Sequence, residues 1–304
     1  MKTTIPHLKN KQFGGAWSVH DPYTIHFRET IVKSNTMSED VDKFLHDYRD
    51  WIGQPDLKLF PHMVFSQGTT ETFDKFYLRH LNKRLRLHKG EYFYHQIMGR
   101  NYFEEFVWLD EGPIKTGDVV VMSCPFSDTG NLPEQFYEIL QECDKLKVPV
   151  LLDMAYINIS NIDYVDLRFD CIETVTTSLS KIFPVEFDRI GIRFEKTLYD
   201  DTLFAYNQNK YINLYSVNLG HEFIKRFDNN WIFDKYKDQQ ESMCDNLDLK
   251  LSRCVIFGID YKNLYPEYNR GGSSNRLCFS RIWDNRVKCV YTLIKNTSIY
   301  YQDN

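Results

Sequence analysis

Two short runs without a polar face, Val119-Val120-Val121-Met122 and Val148-Pro149-Val150-Leu151-Leu152, constrain the fold of this chain more than any other feature. A strand that is apolar on both faces must be covered on both, so it belongs in a sheet sandwiched between helices rather than in a half-solvated antiparallel one. The segment between the runs supplies cover, because Pro133 suits the first turn of a helix that extends to about Lys147. Cys171–Thr177 and Arg189–Phe194 read as two further strands. A helix is expected from a Ser38 cap, with Glu39 and Asp40 at its positive end, an apolar face of Val41, Phe44, Leu45, Tyr48, Trp51 and Ile52, and a stop at Gly53. Another begins near Thr69–Glu71 and carries Phe73, Phe76 and Tyr77 on one face. This alternation predicts an α/β fold with a large domain, its mainly parallel sheet flanked by helices and its ligands bound at the carboxyl ends of the strands. Beyond about residue 200 the rhythm changes to a Tyr- and Asn-rich stretch, a charged helical segment near Asp228–Ser252 and a strand-like run Asn275–Phe279, which predict a small C-terminal α/β domain. The expected division is an N-terminal arm over 1–37, a large domain over 38–227 and a trimmed small domain over 228–304.

At 304 residues, 42% of them apolar and 26% charged, with 10 Pro and 14 Gly, the chain is long enough for a substantial core and is neither disordered nor of low complexity. No apolar stretch approaches the roughly 20 residues of a membrane span. Met1-Lys2-Thr3-Thr4-Ile5-Pro6-His7 has a charge but no apolar h-region, so a cytoplasmic location is expected. Seven Cys, none in a CxxC pair, and nine scattered His predict buried reduced thiols and no metal site. A net charge of −5 gives no electrostatic reason to expect nucleic acid. The densest basic run, Lys83-Arg84-Leu85-Arg86, reads as a solvated helix end.

Chemistry concentrates where the predicted strands finish. Leu151-Leu152-Asp153-Met154-Ala155-Tyr156 puts a carboxylate at the end of a buried strand, where it is costly unless it meets a cation or donors, and a phenol just beyond it. Thr177-Ser178-Leu179-Ser180-Lys181-Ile182-Phe183-Pro184 sets a lysine among apolar neighbours, which favours the neutral amine that attacks a carbonyl. Taken alone, Asp153 serves equally as a helix cap and Lys181 as a loop lysine reaching for solvent.

Several such segments, in this order, resemble the fold-type I pyridoxal-phosphate enzymes, specifically the class I/II aminotransferases. Ser178-Leu179-Ser180-Lys181 followed by Arg189-Ile190-Gly191 looks like that family's cofactor-lysine signature, and Asp153-Met154-Ala155-Tyr156 like its Asp-x-Ala-Tyr strand end. Cys124-Pro125-Phe126-Ser127-Asp128-Thr129-Gly130 is similar to its Asn-Pro-x-Asn-Pro-Thr-Gly turn, Ser66-Gln67-Gly68-Thr69-Thr70-Glu71 to its glycine turn before a helix, and Ser274–Phe279 to its late Arg-Leu-x-Phe strand. Tyr211–Ser216 is weakly similar to the segment after the lysine. The resemblance runs from about residue 60 to about residue 285.

It implies pyridoxal 5'-phosphate as cofactor and transfer of an amino group between an amino acid and a 2-keto acid through a Schiff base on Lys181, which is also the general acid/base. Asp153 would keep the pyridine nitrogen protonated and Tyr156 would donate to the 3'-oxygen. Gly68, Thr69 and Thr70 at a helix start, with Ser178 and Arg189, would hold the phosphate. Tyr92, in the aromatic run Glu91–Tyr94, would stack on the ring if that run is not simply a core strand, with Tyr94 close behind. Arg276 would bind the substrate carboxylate, Arg270 and Arg281 being less well placed. A homodimer is implied as well.

The departures are specific. Ser127 stands where the family has asparagine, and a proline is missing beside it. The region before the first predicted helix and the small domain are short, and Gly14-Gly15-Ala16-Trp17 reads either as a tight turn before a packed Trp or as a remnant of an arm near the substrate. Alternatives are a same-fold decarboxylase, lyase or cyclase, and a non-catalytic relative acting as a binding module. A nucleotide-binding enzyme is disfavoured, since neither GxGxxG nor GxxxxGKS/T occurs.

Overall fold

A computed structural model describes residue 8, residues 11–38 and residues 40–281. Cys289 and the last part of the predicted small domain lie outside the described residues, as do Glu39 and the first seven residues. The order of elements is α1 (Pro22–Ser34), α2 (Val41–Trp51), β1 (His62–Gln67), α3 (Thr69–His80), β2 (Arg84–Leu87), α4 (Phe93–Tyr102), β3 (Phe106–Trp108), β4 (Asp118–Ser123), α5 (Phe136–Leu146), β5 (Val150–Asp153), β6 (Ile172–Ser178), β7 (Ile190–Glu195), α6 (Thr202–Gln208), α7 (Leu214–Arg226), α8 (Trp231–Leu247), β8 (Lys250–Leu251), β9 (Phe257–Asp260) and β10 (Asn275–Cys278).

Strands β1 to β7 form one sheet in the order β1-β7-β6-β5-β4-β2-β3. The ladder from β6 to β3 is parallel, and β7 alone runs against its neighbours β6 and β1. Every residue of β4 and β5 is buried, as their two-faced apolar sequence requires. Strands β8 to β10 form a separate antiparallel sheet of three, packed with α8 around Met243, Cys244, Phe257, Ile259 and Leu277. The predicted α/β architecture is therefore present. The six described cysteines are free and buried, and no helix among the described residues is long and apolar enough to cross a membrane.

Several boundaries differ from the sequence reading. Asp40, not Ser38, caps α2, its Oδ1 accepting from the Lys43 amide at 3.0 Å; the Ser38 amide is drawn instead to the Leu214 carbonyl. Helix α5 starts at Phe136 rather than around Pro133, because Gln135 takes a left-handed conformation that turns the chain into the helix. Helix α1 precedes the first helix expected from sequence. It is held by Asp21, whose side chain accepts from the Tyr23 and Thr24 amides, and its apolar stripe is too thin to announce it, with only Thr24 and Ile31 buried.

The largest correction concerns the basic run. Arg84, Leu85 and Arg86 lie in β2, not at a solvated helix end, and Arg86 is fully buried. Its guanidinium donates to the carbonyls of Val107, Trp108, Gly112 and Pro113 and to Asp118 Oδ2 at 3.0 Å, while Arg84 forks onto both oxygens of the same carboxylate at 2.7 and 3.0 Å. One buried carboxylate and a ring of carbonyls thus replace the water that the charge pattern seemed to demand. Replacing Arg86 by Met should leave Asp118 undercompensated and cost about 3–5 kcal/mol; a chemical-denaturation midpoint unchanged from wild type would contradict this account.

Candidate active site

The parallel register sets the site. Ser123 at the end of β4 pairs with Asp153 at the end of β5, and Asp153 pairs with Thr176 near the end of β6. The chain then turns through residues 179–183 and brings Lys181 back over these ends. A cavity of about 110 Å³ here is lined by Thr69, Thr70, Tyr92, Ser127, Asp153, Tyr156, Ser178, Lys181 and Arg189. A larger one of about 460 Å³ shares Tyr92, Tyr156, Lys181 and Arg189 and adds Arg276. Ten of the eleven residues singled out in the sequence thus line two cavities that share part of their walls, and the other, Gly68, lies against the Arg189 guanidinium.

Gly68 has φ +80°, and a Cβ there would collide with the Arg189 guanidinium. Arg189 can therefore lie flat across the start of α3, donating to Thr70 Oγ1 at 3.1 Å. No side chain caps that helix, so its leading amides face the cavity beside a fixed cation. Ser178 spends its hydroxyl on the Ile190 carbonyl at 2.9 Å and accepts from the Ser180 amide at 3.0 Å. The buried Ser180 hydroxyl has no partner among the described residues.

Lys181 Nζ donates to the Ala16 carbonyl at 2.6 Å. Burial is the main cause that brings its ammonium down to about 8. Asp153 takes the Ala155 amide at 3.0 Å on Oδ1; burial first, then the charge of Glu91, pushes its carboxyl up to about 7. Glu91, also raised by burial, anchors the end of β4 by accepting from the Ser123 amide at 2.6 Å and hydroxyl at 2.5 Å and from the Tyr92 amide at 2.9 Å. Ser127 is held by its amide on Ser123 Oγ at 2.8 Å, and its own buried hydroxyl has no partner among the described residues.

Tyr92 caps the start of α4 and does not lie in a strand, so the aromatic run supplies a helix entry rather than a core ribbon. This geometry explains a residue that sequence reading missed. His95 follows Tyr92 by three positions, on the same face of a helix but on the opposite face of a strand. It is fully buried, with Nε2 4.0 Å from Asp153 Oδ2 and Nδ1 bonded to the Tyr77 hydroxyl. Burial drives His95 down to about 3, which keeps the imidazole neutral, and Tyr77 well above the ordinary range.

The segment before α1 also reaches the site. Residues 14–18 line the larger cavity, the Arg281 guanidinium lies 4.1 Å from the Trp17 ring, and the Ser18 hydroxyl donates to the Ser180 carbonyl. Gly14–Trp17 is thus both a turn and a wall. Arg276, on β10, donates from Nη1 to the Ser127 carbonyl and lies 4.3 Å from the Phe257 ring. Arg270 stands in the same cavity, pulled down to about 10 by burial and then by the like charge of Arg276.

No protein-family model matches the sequence, and no curated protein matches it. Solved structures match it in shape. An N-succinyldiaminopimelate aminotransferase from Mycobacterium tuberculosis superposes with a TM-score of 0.67 at 13% identity, covering 95% of this chain and 96% of its own. A PLP-bound C-S lyase from Staphylococcus hominis gives 0.67 at 11%, covering 93% and 90%. An L-threonine-O-3-phosphate decarboxylase from Porphyromonas gingivalis gives 0.60 at 10%, covering 93% and 99%. The chain has the fold-type I architecture that these aminotransferases, lyase and decarboxylase share.

Two measurements check the electrostatics. Lys181 should be labelled by an amine-reactive reagent with a midpoint near pH 8, read by mass spectrometry; a midpoint no lower than that of surface lysines contradicts its burial. Asp153 has a folded pKa of about 7 against an ordinary 3.8, so its burial costs no stability below the lower value, where it is protonated folded and unfolded, and costs progressively more as pH rises through the upper one. Asp153→Asn in the cofactor-free protein should therefore gain Tm relative to wild type between pH 4 and pH 8; a pH-independent difference contradicts the assignment.

Proposed function

We propose that the chain is a pyridoxal-phosphate enzyme acting on an amino acid, and specifically an aminotransferase that passes the amino group to a 2-keto acid. The observation that carries this reading is the convergence, in one cavity at the strand ends, of a partly buried amine held near pH 8, a buried carboxylate and an uncapped helix start crossed by an arginine. The fit to that cofactor rests on atoms left without partners. The Ser180 and Ser127 hydroxyls are orphaned and buried at this cavity, and Gly68 keeps clear the space that a Cβ would fill beneath Arg189.

In this reading Lys181 would hold the cofactor through its amine, and Gly68, Thr69, Thr70, Ser178 and Arg189, joined by Ser180, would hold its phosphate. Asp153 would hold a proton on the pyridine nitrogen, offsetting the cost of its own burial, with His95 orienting the carboxylate from behind. Tyr156 and Ser127 would bond the 3'-oxygen, and Tyr92 would cover the ring. When bound, the cofactor supplies an electron sink for bond breaking at the substrate Cα. Arg276 orients the substrate by its carboxylate. Lys181, its amine freed when the substrate displaces it, would take the proton from the substrate Cα and deliver it to the cofactor's aldehyde carbon. The residue 14–18 wall excludes water from that transfer. A homodimer in the cytoplasm, with residues 228–304 as a small domain over the substrate, belongs to the same proposal.

A second reading keeps the cofactor and changes the bond broken, as in a lyase, decarboxylase or cyclase. It is favoured by Ser127 in place of the family's asparagine and by the C-S lyase superposing as well as the aminotransferase. The near-visible spectrum of the protein with pyridoxal phosphate separates these possibilities, together with borohydride reduction and peptide mapping. A yellow band and a reduced adduct on Lys181, both lost in Lys181→Ala, are expected. Adding amino acids should convert the band to the pyridoxamine form and release a keto acid; persistence of the aldehyde form with other products favours the second reading. No band and no adduct with excess cofactor overturns both and leaves a binding module.

A further inference from the structure

Three arginines are among the largest fully buried side chains, Arg86, Arg193 and Arg276. Two have carboxylate partners: Arg86 meets Asp118 at 3.0 Å, and Arg193 meets Glu195 at 3.1 Å and Asp201 at 2.5 Å. Arg276 has none among the described residues, and its Nε and Nη2 are unpartnered. Arg270, 5% exposed, makes no hydrogen bond or ion pair among the described residues, and its buried Nε is an orphan. Both line the cavity of about 460 Å³ that also contains Lys181.

Two guanidiniums without a carboxylate partner repel each other in one cavity, and the Ser127 carbonyl and the Phe257 ring offset only part of the desolvation of Arg276. The carboxyls nearby relieve them only from a distance. Asp128 acts on both arginines only from beyond ion-pair distance and takes the Ser274 hydroxyl at 3.3 Å, and Glu186 is bonded to His20 at 2.7 Å. Arg189, the other arginine of the cavity, is committed to Thr70 and the start of α3. One substrate carboxylate accounts for Arg276 and leaves Arg270 open. We infer that Arg270 is a second anion site, so that the preferred substrates are amino acids whose side chains end in a carboxylate or a phosphate. The inference deepens the function proposed above and rests on it for the assignment of Arg276 to the shared carboxylate.

Three amine-free probes test it by calorimetry on the cofactor-loaded protein: butyrate with one anionic group, succinate with two carboxylates, and phosphoglycolate with a carboxylate and a phosphate. Succinate or phosphoglycolate should bind about tenfold or more tighter than butyrate, and the order of the two identifies the distal group. Arg270→Gln should remove that preference and leave butyrate affinity within about twofold, whereas Arg276→Gln should weaken all three. Equal binding of all three probes to the wild-type protein overturns the inference, even if neither variant folds. So does an Arg270→Gln protein that loses butyrate as severely as succinate, since Arg270 would then share the first carboxylate. Borohydride mapping of Lys181 on the same sample reports separately on the cofactor.

Discussion

The in-register parallel ladder from β4 through β5 to β6 is the constraint on which everything else rests. It sets Ser123, Asp153 and Thr176 side by side, with Ser178 two residues further along β6, and the backbone hydrogen bonds that enforce this run through fully buried strands. A one-residue slip would turn Asp153 to the other face of the sheet. Around that edge the chain adds short-range devices: the left-handed glycine that admits Arg189, the Glu91 carboxylate that ties the end of β4 to the start of α4, and the turn that carries Lys181 back over Asp153.

The buried charges divide into two kinds. Arg86 is held by Asp118 and a ring of carbonyls and Arg193 by the carboxylates of Glu195 and Asp201, and both act as struts. Those at the strand ends are left unfinished: Lys181 is lowered, Asp153 is raised, and Arg276 and Arg270 have unpartnered nitrogens. Folding energy from the apolar core holds these groups in place although their burial is not fully compensated within the described residues. The same contrast distinguishes the alternatives for function, because a pure binding module has no need of an amine poised near neutral pH.

The sheet and most of the site were legible in the sequence for a common reason. Two-faced apolar strands are a local signal, and residues at their carboxyl ends converge wherever the strands run parallel, which marked the ends at Asp153 and Lys181; the grouping of these with Ser178 came from the resemblance of the surrounding segments to a known family. What escaped depended on the partner across space. Arg86 looks like a surface charge until Asp118 and the carbonyls around residues 107–113 close on it. His95 becomes visible only once the aromatic run is known to enter a helix, and Arg270 only once its loop is seen to fold over the cavity beside Arg276. Helix α1 escaped because its packing face is thin.

By itself the sequence determined the alternation of elements, the order of the strand-end residues and the chemistry those residue types can perform, since periodicity and side-chain chemistry are local properties. The tertiary structure alone decided which charges are neutralised and which stay open. Pairing, burial and the resulting shifts in protonation depend on distances between segments far apart in the chain, and those distances exist only after the sheet has closed its ladder.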